Sequence, residues 1–111
     1  AFYPAMCDLT GYLYDQGNAW PYLFKNKKLA TKERLETVKY YDVVNFARHL
    51  AVPMWVSYGY NDLVVCPTSI QGAMNEMPTQ PEVMIVPQSR HWTYPEQDTA
   101  RSKWMMNQLK K

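Results

Sequence analysis

Apolar positions recur along this chain with two different periods, and the way those periods alternate organises it. From the potential cap Thr31, residues Glu33, Leu35, Val38 and Tyr41 follow the three-to-four spacing of a surface helix. Asp42 then stands as an N-cap ahead of Val43, Phe46, Ala47 and Leu50, a helical stripe that must be buried against something and that stops before Pro53. Met54-Trp55-Val56-Ser57-Tyr58 is a short β-branched and aromatic run between Pro53 and Gly59, the pattern of a buried strand. After it the chain turns polar at Asn61-Asp62. Pro67 can open another helix, in which Ile70, Ala73, Met74 and Met77 repeat the stripe and Pro78 stops it. Glu82 to Val86 reads as a second strand, closed by Pro87. Thr93 and Glu96 have the form of a capping box, and Ala100, Trp104, Met105 and Leu109 mark one face of a last helix.

Residues 42–111 therefore predict helix, strand, helix, strand, helix. Residues 1–41 predict an irregular, partly helical lead-in, because Asp8 to Lys28 is rich in tyrosine, asparagine and lysine without a clean period. A strand–helix–strand crossover of this length implies a parallel pair, which makes the class α/β. Two strands, or three if Phe2 to Met6 counts, are few beside the roughly four to six of an ordinary sheet. The 111 residues thus read as a single partial domain, with two or three parallel strands and flanking helices.

Composition removes several function classes. The 12 basic and 10 acidic side chains are scattered, with only Lys25 to Lys28 forming a short run, so no nucleic-acid partner is expected. No apolar stretch approaches the ~20 residues of a membrane span, so no membrane partner is expected either. The chain opens at Ala1 without a charged-then-apolar leader, which leaves its compartment open. Cys7 and Cys66 are expected as free thiols, and no histidine or cysteine has a neighbour at zinc-site spacing, so neither metal nor cofactor is expected.

Asp62 lies just past the carboxyl end of the first strand and His91 a few residues past the second, where open parallel sheets carry their functional groups. A carboxylate there can hold the tautomer of a neighbouring imidazole, whose other ring nitrogen then takes a proton from a hydroxyl nucleophile. On spacing alone, a surface aspartate capping a turn and an exposed loop histidine are the commoner outcome.

The surrounding residues are more specific. Gly59-Tyr60-Asn61-Asp62-Leu63-Val64-Val65-Cys66-Pro67-Thr68-Ser69 resembles the acid-bearing loop of the acetyl xylan esterases and cephalosporin C deacetylases, which are α/β-hydrolases. The likeness continues through Val38 to Ala47 upstream and Pro87-Gln88-Ser89-Arg90-His91 downstream, and more loosely to Pro4-Ala5-Met6-Cys7-Asp8. It covers nearly the whole chain. It implies the carboxy-terminal portion of a serine esterase acting on acetylated xylo-oligosaccharides or related small esters, with Asp62 as triad acid and His91 as triad base. The family often follows its histidine with Glu and glycine; Trp92-Thr93-Tyr94 stand here instead, aromatic residues suited to an acyl or sugar pocket or to packing at a helix start.

The nucleophile of that fold sits in Gly-x-Ser-x-Gly, upstream of both partners. No serine here has that setting. Ser57 reads as a sheet residue, and Ser69, Ser89 and Ser102 read as surface or capping serines. The family's oxyanion donors also lie upstream, so this chain alone is expected to be inactive. A peptidase or dienelactone-type hydrolase shares the Asp-to-His spacing, and a non-catalytic module could keep the same sheet. Cys66 reads as a small hydrophobe at a helix start, and His49 as a surface histidine near a helix end. Tyr12, Tyr14, Tyr22, Tyr40 and Tyr41, with Trp20, read as sheet cover or a subunit contact in preference to a sugar-stacking surface.

A thin sheet leaves a strand edge and apolar faces open, and burying one Leu-sized side chain is worth about 1.5–3 kcal/mol. The chain is therefore expected to self-associate. Sedimentation equilibrium over a wide concentration range checks this, and a well-folded monomer of 13.0 kDa would show that the chain closes its own core.

Overall fold

A computed structural model describes residues 7–15 and 20–110. Two single-turn 3₁₀ segments, Gly11–Tyr14 and Lys27–Leu29, precede α1 (Lys32–Val38), α2 (Val43–Ala47), β1 (Trp55–Gly59), α3 (Pro67–Asn75), β2 (Glu82–Val86) and α4 (Pro95–Leu109). β1 and β2 pair in parallel, from Trp55 opposite Glu82 to Gly59 opposite Val86. The chain is α/β, as the strand–helix–strand pattern required. The possible strand from Phe2 to Met6 lies outside the described residues.

Local chemistry explains the helix starts. Thr31 Oγ1 accepts from the Arg34 N–H at 3.4 Å, and Asp42 Oδ1 accepts from the Val44 N–H at 3.0 Å, each satisfying a donor that the first turn leaves without an intrahelical partner. Pro67 occupies the first turn of α3, where its missing N–H costs nothing. At α4 the cap lies one residue later than Thr93 and Glu96 suggested: Tyr94 is the N-cap, Pro95 follows, and Gln97 Oε1 accepts from the Tyr94 N–H at 2.8 Å.

All five residues of β1 are buried, because the strand is covered on both faces. Val56 and Tyr58 enter the main core with Ala47 of α2 and Ile70, Ala73 and Met74 of α3, joined by Cys7, Val65 and Met77. The other face meets α4, and it is polar at its centre: the fully buried Gln97 Nε2 donates to Ser57 Oγ at 2.6 Å, and Ser57 Oγ donates to the Met84 carbonyl at 2.8 Å. Ser57 is thus a sheet residue tying β1, β2 and α4 together. A smaller core of Leu9, Phe24 and Val38, with Tyr12, Leu13, Ala30 and Leu35 against it, organises the described part of the lead-in.

Two apolar expectations fail, each for lack of a covering element. Phe46 is 53% exposed, because the five-residue α2 turns only Ala47 fully into the core. Met105 and Leu109 are exposed, since the row of α4 that faces inward runs through Gln97, Ala100, Arg101 and Trp104. Val83 and Ile85 share a face with Val56 and Tyr58 by register, yet they are 40% and 43% exposed because α3 covers β1 and not β2.

Asp42 does more than cap α2. Its Oδ1 also accepts from the Asp8 N–H at 2.9 Å and its Oδ2 from the Leu9 N–H at 2.7 Å, so one buried carboxylate joins the lead-in to the helical layer. Asp42→Ala strands three backbone donors and should lower unfolding free energy by about 2–4 kcal/mol, with Asp42→Asn falling between, as measured by urea denaturation.

Beside Asp42, burial first, then the Asp42 and Asp8 carboxylates, push the Cys7 thiol from 9.0 up to about 12. The folded chain therefore keeps the proton that the unfolded chain loses near pH 9. Stability from this source is complete below that pH and is lost as pH rises toward 12. Unfolding free energy of the wild type should fall more steeply between pH 9 and 11 than that of Cys7→Ala, and equal slopes would remove Cys7 as the cause.

Candidate active site

The chain leaves β1 through a tight turn in which the Asp62 N–H donates to the Gly59 carbonyl at 3.3 Å. Asp62 Oδ1 then accepts from the N–H groups of Val64 at 2.8 Å and Val65 at 2.9 Å, the self-bonding habit that suits aspartate to turns. The aspartate does cap a turn, but it is not on the surface: its side chain is 0% exposed. The other oxygen, Oδ2, lies 2.8 Å from His91 Nδ1. The imidazole is 38% exposed. The two residues singled out in the sequence are therefore in direct contact.

The loop after β2 is held to the loop after β1 by backbone. Tyr60 N–H donates to the Val86 carbonyl and Asn61 N–H to the Ser89 carbonyl, both at 3.1 Å, and Asn61 Nδ2 donates to the Pro87 carbonyl at 2.9 Å. His91 sits at the centre of a three-residue turn closed by the Trp92 N–H on the Arg90 carbonyl at 2.9 Å. Ser89, read from sequence as a surface or capping serine, is fully buried, with its hydroxyl 2.9 Å from the Arg90 carbonyl and 3.1 Å from the Trp92 carbonyl. It braces the turn.

Gly59 is what allows the loops to meet. A Cβ at this position would lie 2.4 Å from the carbonyl oxygens of both Ser89 and Arg90, a distance no side chain tolerates against backbone. From sequence Gly59 marked only the end of a strand. Its close approach to the histidine loop had no local signal beyond a glycine at the carboxyl end of a strand, one position that can report a close backbone approach.

A carboxylate can only accept, so against the Asp62 carboxylate Nδ1 of His91 takes the donor role in the shared bond. That fixes the tautomer whose basic lone pair is on Nε2. A hollow of about 430 Å³ lies against the imidazole, lined by Asn61, Leu63, Val64, Arg90, His91 and Trp92. Leu63 and Trp92 are more than two-thirds exposed at 72% and 71%, apolar surface available to whatever enters.

The serines do not complete the pair. Ser57 is committed to Met84 and Gln97, Ser69 is buried in α3 against its surface reading, and the Ser102 hydroxyl donates to the Asp98 carbonyl. Cys66 is half-buried at the N-cap of α3, its Sγ accepting from Thr68 Oγ1 at 3.3 Å, and neither cysteine is in a disulfide. His49 is exposed just past α2. Tyr14, Tyr40, Tyr41 and Trp20 are exposed, whereas Tyr12 and Tyr22 pack edge-to-face at 6.1 Å. Among the described residues no group of three or more His, Cys, Asp and Glu side chains could hold a metal ion, and no helix is long and apolar enough to cross a membrane.

Residues 4–108 match the family described as acetyl xylan esterase (AXE1). The chain is 36% identical over 110 residues to the acetyl esterase Axe7A of Xylanibacter ruminicola, a match covering 99% of this chain and 25% of that protein. In fold it is similar to an acetyl xylan esterase from Paenibacillus sp. R4, with a TM-score of 0.78, 15% identity and coverage of 96% of this chain against 36% of that one. It is similar also to acetyl xylan esterase 1 from Thermoanaerobacterium sp. JW/SL YS485, with a TM-score of 0.75, 21% identity and the same coverage. The chain spans about a quarter of the length of its curated relative and about a third of these structures. With the family matched over almost all of its residues, and its α/β fold shared with those esterases, the chain belongs to the acetyl xylan esterase family.

Proposed function

We propose that this chain supplies the acid and base of a serine esterase that removes acetyl groups from xylo-oligosaccharides or related small esters, as the carboxy-terminal portion of the catalytic domain. The observation that carries the reading is the 2.8 Å contact between His91 Nδ1 and Asp62 Oδ2, with Oδ1 held by two backbone donors. Family membership supports an esterase-type chemistry.

In this reading His91 Nε2 takes the proton from a serine hydroxyl provided by the rest of the parent protein, and the freed oxygen attacks the acetyl carbonyl. Asp62 stabilises the imidazolium that forms and holds its orientation. Collapse of the tetrahedral intermediate breaks the ester bond, the departing sugar oxygen takes from Nε2 the proton that came from serine and leaves as a hydroxyl, and the acetyl group stays on serine. Water then repeats the sequence, with His91 again as base, and releases acetate. The hollow beside His91, rimmed by Leu63 and Trp92, is suited to the apolar face of the acetylated sugar.

Two measurements test it. The isolated chain, lacking a serine elbow, should hydrolyse p-nitrophenyl acetate no faster than free imidazole of equal concentration; saturable turnover abolished by Ser57→Ala would overturn that expectation. In the full-length parent, His91→Ala and Asp62→Asn should each lower kcat on acetylated xylo-oligosaccharides by roughly 10⁴-fold. Activity retained within about tenfold in His91→Ala would remove His91 as the base.

A further inference from the structure

Tyr22 lies forty residues before the acid in a different part of the fold, yet its hydroxyl donates to the Val64 carbonyl at 3.1 Å. That carbonyl belongs to the same peptide unit as the Val65 N–H, which donates to Asp62 Oδ1 at 2.9 Å. Oδ2 of the same carboxylate meets His91 Nδ1 at 2.8 Å. The four groups form one series that converges on the carboxylate: phenol donates to carbonyl, amide to carboxylate oxygen Oδ1, and imidazole to the other oxygen, Oδ2.

We propose that Tyr22 is a positioning residue for the triad, holding the 64–65 peptide in place and polarising it so that its N–H binds the Asp62 carboxylate more strongly. The inference rests on the reading of Asp62 and His91 as acid and base. The physics is that of a cooperative chain: a donor on an amide carbonyl increases the positive charge on the amide hydrogen, and the effect is largest where water is excluded, as it is around the fully buried Asp62.

Two features show that Tyr22 is built into this place. Its backbone has φ of 63°, a left-handed conformation that is unfavourable for a bulky side chain and that persists only where surrounding structure enforces it. Its ring is packed edge-to-face on Tyr12, at an interplanar angle of 80°. Burial first, then Tyr12 and the Asp62 carboxylate, raise the phenol above its ordinary value, so it remains a protonated donor across the neutral range.

The test reads the far end of the series. In ¹⁵N-histidine-labelled protein, the hydrogen-bonded Nδ1 proton of His91 should give a downfield resonance that disappears in Asp62→Asn. Tyr22→Phe weakens the Val65 bond, leaves more charge on the carboxylate for the imidazole, and should move that resonance further downfield with the melting temperature nearly unchanged, whereas Tyr14→Phe, at an exposed tyrosine outside the series, should leave it in place. Should Tyr22→Phe not fold, replacement of tyrosine by 3-fluorotyrosine, a stronger donor, supplies the opposite sign: the resonance should move upfield. In the full-length parent, Tyr22→Phe should lower kcat about three- to tenfold with KM unchanged, the size of one hydrogen bond lost from the network. A downfield resonance that responds to Asp62→Asn but ignores both changes at Tyr22 would overturn this role and leave the acid–base pair standing. Its absence from the wild type would overturn both.

Discussion

The parallel pairing of β1 with β2 is the constraint on which everything else in this chain depends. Two strands that run the same way bring both of their carboxyl ends to one edge of the sheet, and the chain must spend a helix, α3, in returning to start the second. Residues 29 positions apart are thereby delivered to one place. An antiparallel pair would have put the loop after one strand at the opposite edge from the loop after the other. The remaining distance is closed at Gly59, where the absence of a Cβ lets the end of β1 lie against the carbonyls of Ser89 and Arg90.

Buried polar groups mark the joints of the fold. Asp42 ties the lead-in to α2, Ser57 and Gln97 tie both strands to α4, Ser89 braces the turn that carries His91, and Asp62 organises its own loop before it reaches the histidine. Each is buried and each has its partners, as it must, since an unsatisfied polar group in such a place costs about 1–3 kcal/mol. In the two loops at the carboxyl edge these bonds act together. Asp62, His91 and the hollow beside them are held by backbone contacts as well as by side chains, which is the kind of support a site needs if its geometry is to be kept.

The apolar surface is distributed unevenly. β1 is enclosed by α2 and α3 on one face and by α4 on the other, while Val83 and Ile85 of β2 and Met105, Met106 and Leu109 of α4 stay open. A covered strand beside an uncovered one makes the sheet asymmetric and leaves Val83 and Ile85 as exposed apolar surface. The exposed Leu63 and Trp92 differ from these in position, since they border the hollow at His91 and so belong to the site.

Local patterns determined much of this protein by themselves. The caps at Thr31 and Asp42, Pro67 at the start of α3, and the two strand runs are legible because each depends on residues adjacent in the chain or one helical turn apart. The likeness of the Gly59 to Ser69 segment and of the residues before His91 to acetyl xylan esterases was legible too, and with it the two residues of the candidate site. What the sequence could not reveal depends on which element packs over which. Helical spacing marked Phe46, Met105 and Leu109 as apolar without saying whether another element would cover them. Nothing near Gln97 announced that a glutamine would sit at the centre of the α4 face, because its partner Ser57 is 40 positions away. Tyr22 reaches the loop of Asp62 across 42 positions, and Gly59 is obligatory only because a loop from the far side of a helix comes to rest on it. Such contacts are decided by the tertiary structure, since their energy exists only when distant segments meet.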